Sequence, residues 1–299
     1  MKLINGLLIL TATSFAWCQA PVPKEALALR KSFDDKVTAE VNALRTSVMV
    51  PVERRYIDAL KKGIKGVQQN GHLEEMKLFQ SEIEQLESFQ ANPGTTLTAD
   101  VSNPTPNFGK LRGIYLNEVG KFESDVFRKV SPMYKSHEQA LKDLALKLTR
   151  QGQIAEAEAA TQELKWVTLA RCQISAGMLK TLADGQPCYS NRDYVWKEVS
   201  PNLANLSFNM TAGGVPQTSV INVLRPGLVY VACGTDDAEG CIQQLQNLGF
   251  KKTREYFLQK PRGGSGMSVF SKFVVQGFTL PAAIKSFSGF IIIGNLESQ

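Results

Sequence analysis

The apolar residues of this chain keep two different spacings, and the change between them falls near Pro187. From Lys24 to about Leu182 they recur at three and four. Phe33, Val37, Val41, Leu44 and Val48 form one stripe; Val52, Tyr56, Leu60, Ile64 and Val67 form a second; Leu73, Met76, Phe79, Ile83 and Leu86 form a third. That spacing keeps residues on one face of an α-helix, so these segments read as amphipathic helices. After Pro187 the runs are short and apolar or alternating: 193–199, 206–210, 219–224, 228–233, 268–275 and 289–294. Turn residues separate them, among them Gly213-Gly214, Arg225-Pro226-Gly227 and GGSG at 263–266. Short strands at such spacing predict an antiparallel sandwich or barrel. One helical interruption is expected over 236–248, where Cys241, Leu245 and Leu248 share a face and Gly249 ends the helix. The fold class is therefore α+β in two parts: antiparallel helical hairpins or a bundle, then an antiparallel β-sandwich with one short helix.

The helical part repeats itself. Pro51 stands before Gly71 as Pro132 stands before Gly152, at an offset of 81 positions (132 against 51). At the same offset Ala59-Leu60 matches Ala140-Leu141, Leu73 matches Ile154, Glu82-Ile83 matches Glu163-Leu164, and Phe33 matches Ile114. Proline, glycine and apolar positions matched at one offset predict two copies of a three-helix unit, with the proline starting or kinking the second helix and the glycine turning the third back. The expected organisation is a signal peptide at 1–20, helical repeats at 21–90 and 109–186, a Pro/Thr-rich linker at 91–108, and a β domain at 187–299.

The N-terminus, MKLINGLLILTATSFAWCQA, has a lysine, an apolar run and then small residues. This is the layout of a secretory signal peptide, with cleavage expected after Ala16 or nearer Ala20. Trp17 before Cys18 argues against a lipid anchor. No later segment is long and apolar enough for a transmembrane helix, so the protein is expected to be exported: periplasmic, cell-surface or extracellular. Four cysteines then remain, Cys172, Cys188, Cys233 and Cys241, and export permits disulfides. The sequence-local pairs Cys172–Cys188 and Cys233–Cys241 are expected, with four buried thiols the alternative. The formal charge of +6 is too small and too scattered for a nucleic-acid binder.

Catalytic and metal signals are weak, and no cofactor is expected. His72 and His137 are the two histidines, and both fall in helices without a metal-ligand spacing. No histidine follows residue 137, so the β half cannot build a Ser-His-Asp or Cys-His site by itself. GGSGMS lacks the lysine of a phosphate-binding loop. Asp236-Asp237 reads as a helix N-terminus rather than a calcium site. A carboxylate-dependent hydrolase would have to draw on Asp193, Glu198, Asp236, Asp237, Glu239, Glu255 or Glu297.

Two stretches combine aromatics with charge. KKTREYFLQKPR sets Lys251, Lys252, Arg254, Lys260 and Arg262 around Tyr256 and Phe257, and is the candidate ligand-binding segment if it is not simply a solvated hairpin. In CYSNRDYVWKEVSPNL, Tyr194 and Trp196 share one face of an extended strand. With Arg192 they are expected to anchor the domain rather than bind. YSNRDYVWKEVSPNL, LVYVAC, LQNLGFKKT, SVFSKFVVQGFTL and FSGFIIIG together resemble a β-sandwich module of secreted bacterial proteins, over residues 188 to 299. The resemblance implies a galactose-binding-like or carbohydrate-binding module. The expected function is a non-catalytic, exported binding or cell-envelope protein that recognises carbohydrate through the β domain. The helices would be a spacer or assembly element, with homo-oligomers possible. The alternatives are a structural protein that binds another envelope protein and, more distantly, a glycan hydrolase.

Overall fold

The computed structural model describes residues 22–91, 105–215, 217–235, 239–260, 265–283 and 288–298. The expected signal peptide, Asp236-Asp237, Arg262 and most of the linker lie outside these residues. Helix α1 (Lys24–Leu44), a π-helical turn (Arg45–Met49) and α2 (Val50–Gln69) run on without a break, and α3 (Leu73–Ala91) folds back along α2. Helix α4 (Pro106–Arg150) is likewise continuous, and α5 (Ile154–Glu163) folds back along it.

The first two helices expected of each unit are thus one long helix. A proline removes one helical hydrogen bond, but the apolar face of α4 carries straight through Pro132, with Val126, Val130 and Tyr134 buried on either side. Burial of that face outweighs the lost bond. The glycines act as expected: Gly71 (φ 71°) and Gly152 (φ 74°) adopt the left-handed conformation that side chains resist. His72 N–H donates to Val67 O, and Gln153 N–H to Leu148 O, closing the two turns in the same way. The long helices run antiparallel. Lys147 pairs with Glu25, Lys129 with Glu40, and Tyr115 stacks on Tyr56. One core fills this bundle, built from Phe33, Leu60, Phe79, Phe108, Val130 and Leu141 among others. The expected match of Phe33 with Ile114 fails there: Ile114 is 58% exposed, and its neighbour Tyr115 takes the buried place.

The β half begins before Pro187. Its strands are β1 (Arg171–Ile174), β2 (Met178–Thr181), β3 (Val195–Lys197), β4 (Ser207–Met210), β5 (Ser219–Arg225), β6 (Gly227–Gly234), β7 (Lys251–Lys260), β8 (Ser265–Val274), β9 (Phe278–Leu280) and β10 (Ile291–Ser298), with α6 (Glu239–Asn247) between β6 and β7. Strands β1 and β2 are four residues each, too short to show a period of two against the helical background. The hydrogen-bonded path runs β3-β7-β8-β6-β10-β1-β5-β9, with β4 joining β10 to β2. All pairings between these strands are antiparallel except β1 with β10.

The central strands bury both faces. Val229, Val231 and Cys233 of β6 point to a core that includes Cys241 and Leu245 of α6. Ala232 points to another, holding Trp196, Phe208 and Phe257. This mostly antiparallel region therefore has a core on each side of its central strands, unlike a sandwich with one core between two sheets. The arrangement also overturns the expected disulfides. Cys172 lies in the first core and Cys188 in the second, and both are buried free thiols; Cys233 and Cys241 share the first core without a disulfide bond. Burial pushes the Cys172 thiol up to about 12, far from the thiolate that redox chemistry needs.

Candidate functional site

The Arg225-Pro226-Gly227 run, legible in sequence only as a turn, is the seam that locks the two halves together. Arg225 lies at the end of β5. Its guanidinium donates to Asp34 on α1 (2.9 Å) and to the carbonyls of Trp166 (2.9 Å) and Leu169 (2.7 Å), and it sits 5.0 Å above the Phe33 ring. Tyr134 donates its hydroxyl to Pro226 O (2.7 Å). Gly227 opens β6 against the backbone of Leu169 and Ala170, and Leu228 N–H donates to Thr168 O (2.8 Å).

Beside this seam lies a cleft of about 340 Å³ between α1, the end of α5, and strands β1 and β10. Four basic and four acidic side chains line it. Three of the acids are bound by guanidinium groups. Glu163 accepts from Arg30 Nε (2.8 Å), Asp34 from Arg225, and Glu297 from both Nε and an Nη of Arg171. Lys31 and Asp35, exposed on α1, complete the balance, and Trp166 forms part of the wall. His137 stacks on Phe33 (4.4 Å, 6° between planes). Burial lowers its affinity for a proton, helped by Arg225 and Arg30 and opposed by Asp34. A neutral imidazole, three fixed ion pairs and an indole make a site suited to holding a polar molecule. Each paired carboxylate has oxygens occupied by a guanidinium.

The residues singled out from sequence lie elsewhere. Lys251, Lys252, Arg254 and Tyr256 are exposed or half-exposed along β7, and Lys251 adjoins a recess with Lys272, Glu123 and Phe127. The side chain of Lys260 is outside the described residues, as is Arg262. None of these lines the cleft. Trp196 is fully buried, edge-on to Phe257 (4.9 Å) and Phe208 (5.7 Å), and Tyr194 packs partly buried against the same core. Arg192 is exposed on the preceding turn. Of the acids considered for hydrolysis, Glu297 alone lines the cleft among the described residues. The remaining lining residues escaped notice because Lys31, Asp35 and Arg171 look in sequence like an ordinary solvated helix face and its continuation; only the pairing of β1 with β10 brings Arg171 to Glu297.

Fold and site together define an α+β protein in which a helical bundle is locked to a two-cored, mostly antiparallel sheet, with a charge-balanced cleft at the junction. No family model and no curated protein matches the chain. Among solved structures, a β-glucuronidase from glycoside hydrolase family 2 overlaps 42% of it at 17% identity with a TM-score of 0.32, which is 14% of that enzyme. An enzyme of glycoside hydrolase family 138 targeting pectin rhamnogalacturonan II overlaps 62% at 11% identity with a TM-score of 0.33, which is 28% of that enzyme. The chain thus matches under a third of either enzyme's length, and overlaps this loose carry no argument about fold or function.

Proposed function

We propose that this is an exported, non-catalytic binding protein whose cleft takes a small, net-neutral, hydroxyl-rich ligand of the carbohydrate class. One observation carries the reading: the cleft is walled by pre-formed Arg–carboxylate pairs whose charges cancel, next to an indole. Each sugar hydroxyl is both donor and acceptor, and a wall offering fixed donors and acceptors side by side answers that duality. A rigid aromatic at the wall supplies apolar contact for a sugar face. The volume lies at the low end for small-molecule sites, roughly 300 to 1,000 Å³, which suits a small ligand over an enclosed polymer. Charge balance disfavours strongly anionic ligands, and so moves the reading away from acidic glycans gripped by β7. Hydrolysis is not favoured, because it draws on a pair of working carboxyls, and three of the four that line the cleft are held by guanidinium groups. The N-terminal leader pattern is the support for export.

Titration calorimetry of the full chain tests this with methyl glycosides of neutral hexoses and N-acetylhexosamines, and with glucuronic acid and glucosamine as charged counterparts. A neutral glycoside is expected to bind best, and Arg171→Ala and Trp166→Ala to weaken it at least tenfold. No binding to any of them, or binding indifferent to both variants, would sink the proposal.

A further inference from the structure

The two ends of the helical bundle are built from the same parts, exchanged crosswise. At one end Arg30 reaches Glu163 and Phe33 stacks on His137 (4.4 Å, 6°). At the other Arg112 reaches Glu82 (3.2 Å) and Tyr115 stacks on Tyr56 (4.5 Å, 6°). Tyr56 and His137 stand 81 positions apart, as do Glu82 and Glu163; Arg30 and Arg112 stand 82 apart, as do Phe33 and Tyr115. The offset changes by one across the π turn Arg45–Met49, which α4 lacks. A π turn accommodates an extra residue without ending a helix, and this accounts for the step. Each hairpin's arginine and ring meet the other hairpin's glutamate and ring, which is the reciprocity of a two-fold, isologous contact within one chain.

Against that symmetry the cleft end has diverged. Lys31, Asp34, Asp35, His137 and Trp166 correspond to Gly113, Leu116, Asn117, Tyr56 and Gln85. Asp34 serves the seam through Arg225, His137 fills the stack, and Trp166 packs against the β core. Lys31 and Asp35 have no such task. They are exposed at the cleft, one helical turn apart, and make no ion pair or side-chain hydrogen bond among the described residues. A lysine four residues before an aspartate is also the less favourable helical order, so their placement does little for α1. We propose that Lys31 and Asp35 select the cleft's ligand, Asp35 accepting from sugar hydroxyls and Lys31 donating to an acceptor oxygen on the same net-neutral molecule.

This rests on the reading of the cleft given above, and the experiment separates the two. Calorimetry on the full chain, with the best neutral glycoside from the same panel, compares wild type with Lys31→Gln, Asp35→Asn and, at the opposite end, Asn117→Asp. Asparagine is what the second hairpin carries at the place of Asp35, so the fold has already accepted it. We expect at least tenfold weaker binding for each cleft variant, unchanged melting temperatures, and wild-type binding for Asn117→Asp. Wild-type affinity in both cleft variants would overturn the assignment and leave the cleft standing. A loss that comes with unfolding would also count against it, and no binding by wild type would overturn both readings.

Discussion

The two ends of the bundle share an Arg–Glu pair and a ring stack, yet one is sealed and the other opens on a cleft. Arg112 is 8% exposed and Arg30 is 40% exposed, although their glutamates are nearly equally buried. The difference lies in what covers them. At the sealed end the covering is apolar: Phe108 packs on Phe79 (5.5 Å), and the Arg112 guanidinium lies 5.8 Å over the Phe108 ring. At the open end the cover is the β half, which meets the bundle through Arg225, Arg171 and Glu297. Charged groups held in fixed geometry cannot close over a surface as densely as interlocking apolar side chains do. The cleft is thus a product of docking through a polar seam.

Breaking that seam gives the largest expected effect. Gly227 has φ 156°, and a Cβ there would stand 2.5 Å from the Leu169 carbonyl carbon. Gly227→Ala is expected to cost roughly 3 kcal/mol or more, from overpacking and backbone strain together. Because the bundle core does not depend on this glycine, urea unfolding should separate into two steps, with β signal lost first. A single cooperative transition at the wild-type midpoint would show that the seam does not hold the halves together.

A smaller effect sharpens the contrast between the ends. Glu82 is buried against Arg112 and accepts from the Tyr56 hydroxyl (3.2 Å); burial raises its proton affinity more than these partners lower it. Glu82→Gln removes a counter-charge from a buried guanidinium, at a cost of about 3 kcal/mol. Glu163→Gln releases an arginine that water already reaches, costing about 1 kcal/mol or less. Equal losses by denaturant titration would mean that the two ends are equally closed.

Much of this was legible in the sequence, for physical reasons that also mark the limits. The helices, their glycine turns and the core role of Trp196 follow from local periodicity and turn chemistry. The switch to strands is legible from residue 193 onward, where apolar and alternating runs sit between turn residues; β1 and β2 are not, because they lie in a segment whose apolar residues also fit a helical spacing, and the three residues of β9 carry too little pattern. The cleft was not legible at all. Asp34 and Arg225 stand 191 positions apart, and Arg171 and Glu297 stand 126 apart, so no local signal joins them. The basic strand β7 drew attention because its charges are contiguous in sequence, whereas the lining of the cleft is contiguous only in space.

The smallest expected effect concerns the ring that differs between the ends. His137 faces Arg225, Arg30 and Asp34, with Glu163 on the same cleft, and its proton affinity is lowered, chiefly by burial. Above the ordinary histidine value of about 6.5 the ring is neutral whether folded or unfolded, so it contributes no pH dependence there. Below it the unfolded chain takes up a proton that the folded chain refuses, and stability is lost as pH falls towards the depressed folded value, at up to about 1.4 kcal/mol per pH unit. His137→Tyr installs the ring that Tyr56 supplies at the sealed end. The variant is expected to match wild type at about pH 8 within about 1 kcal/mol and to exceed it increasingly below about pH 6, read from denaturant midpoints across that range. Parallel curves at all pH values would mean that His137 exchanges protons as freely folded as unfolded, and that the open end admits water up to the Phe33 ring.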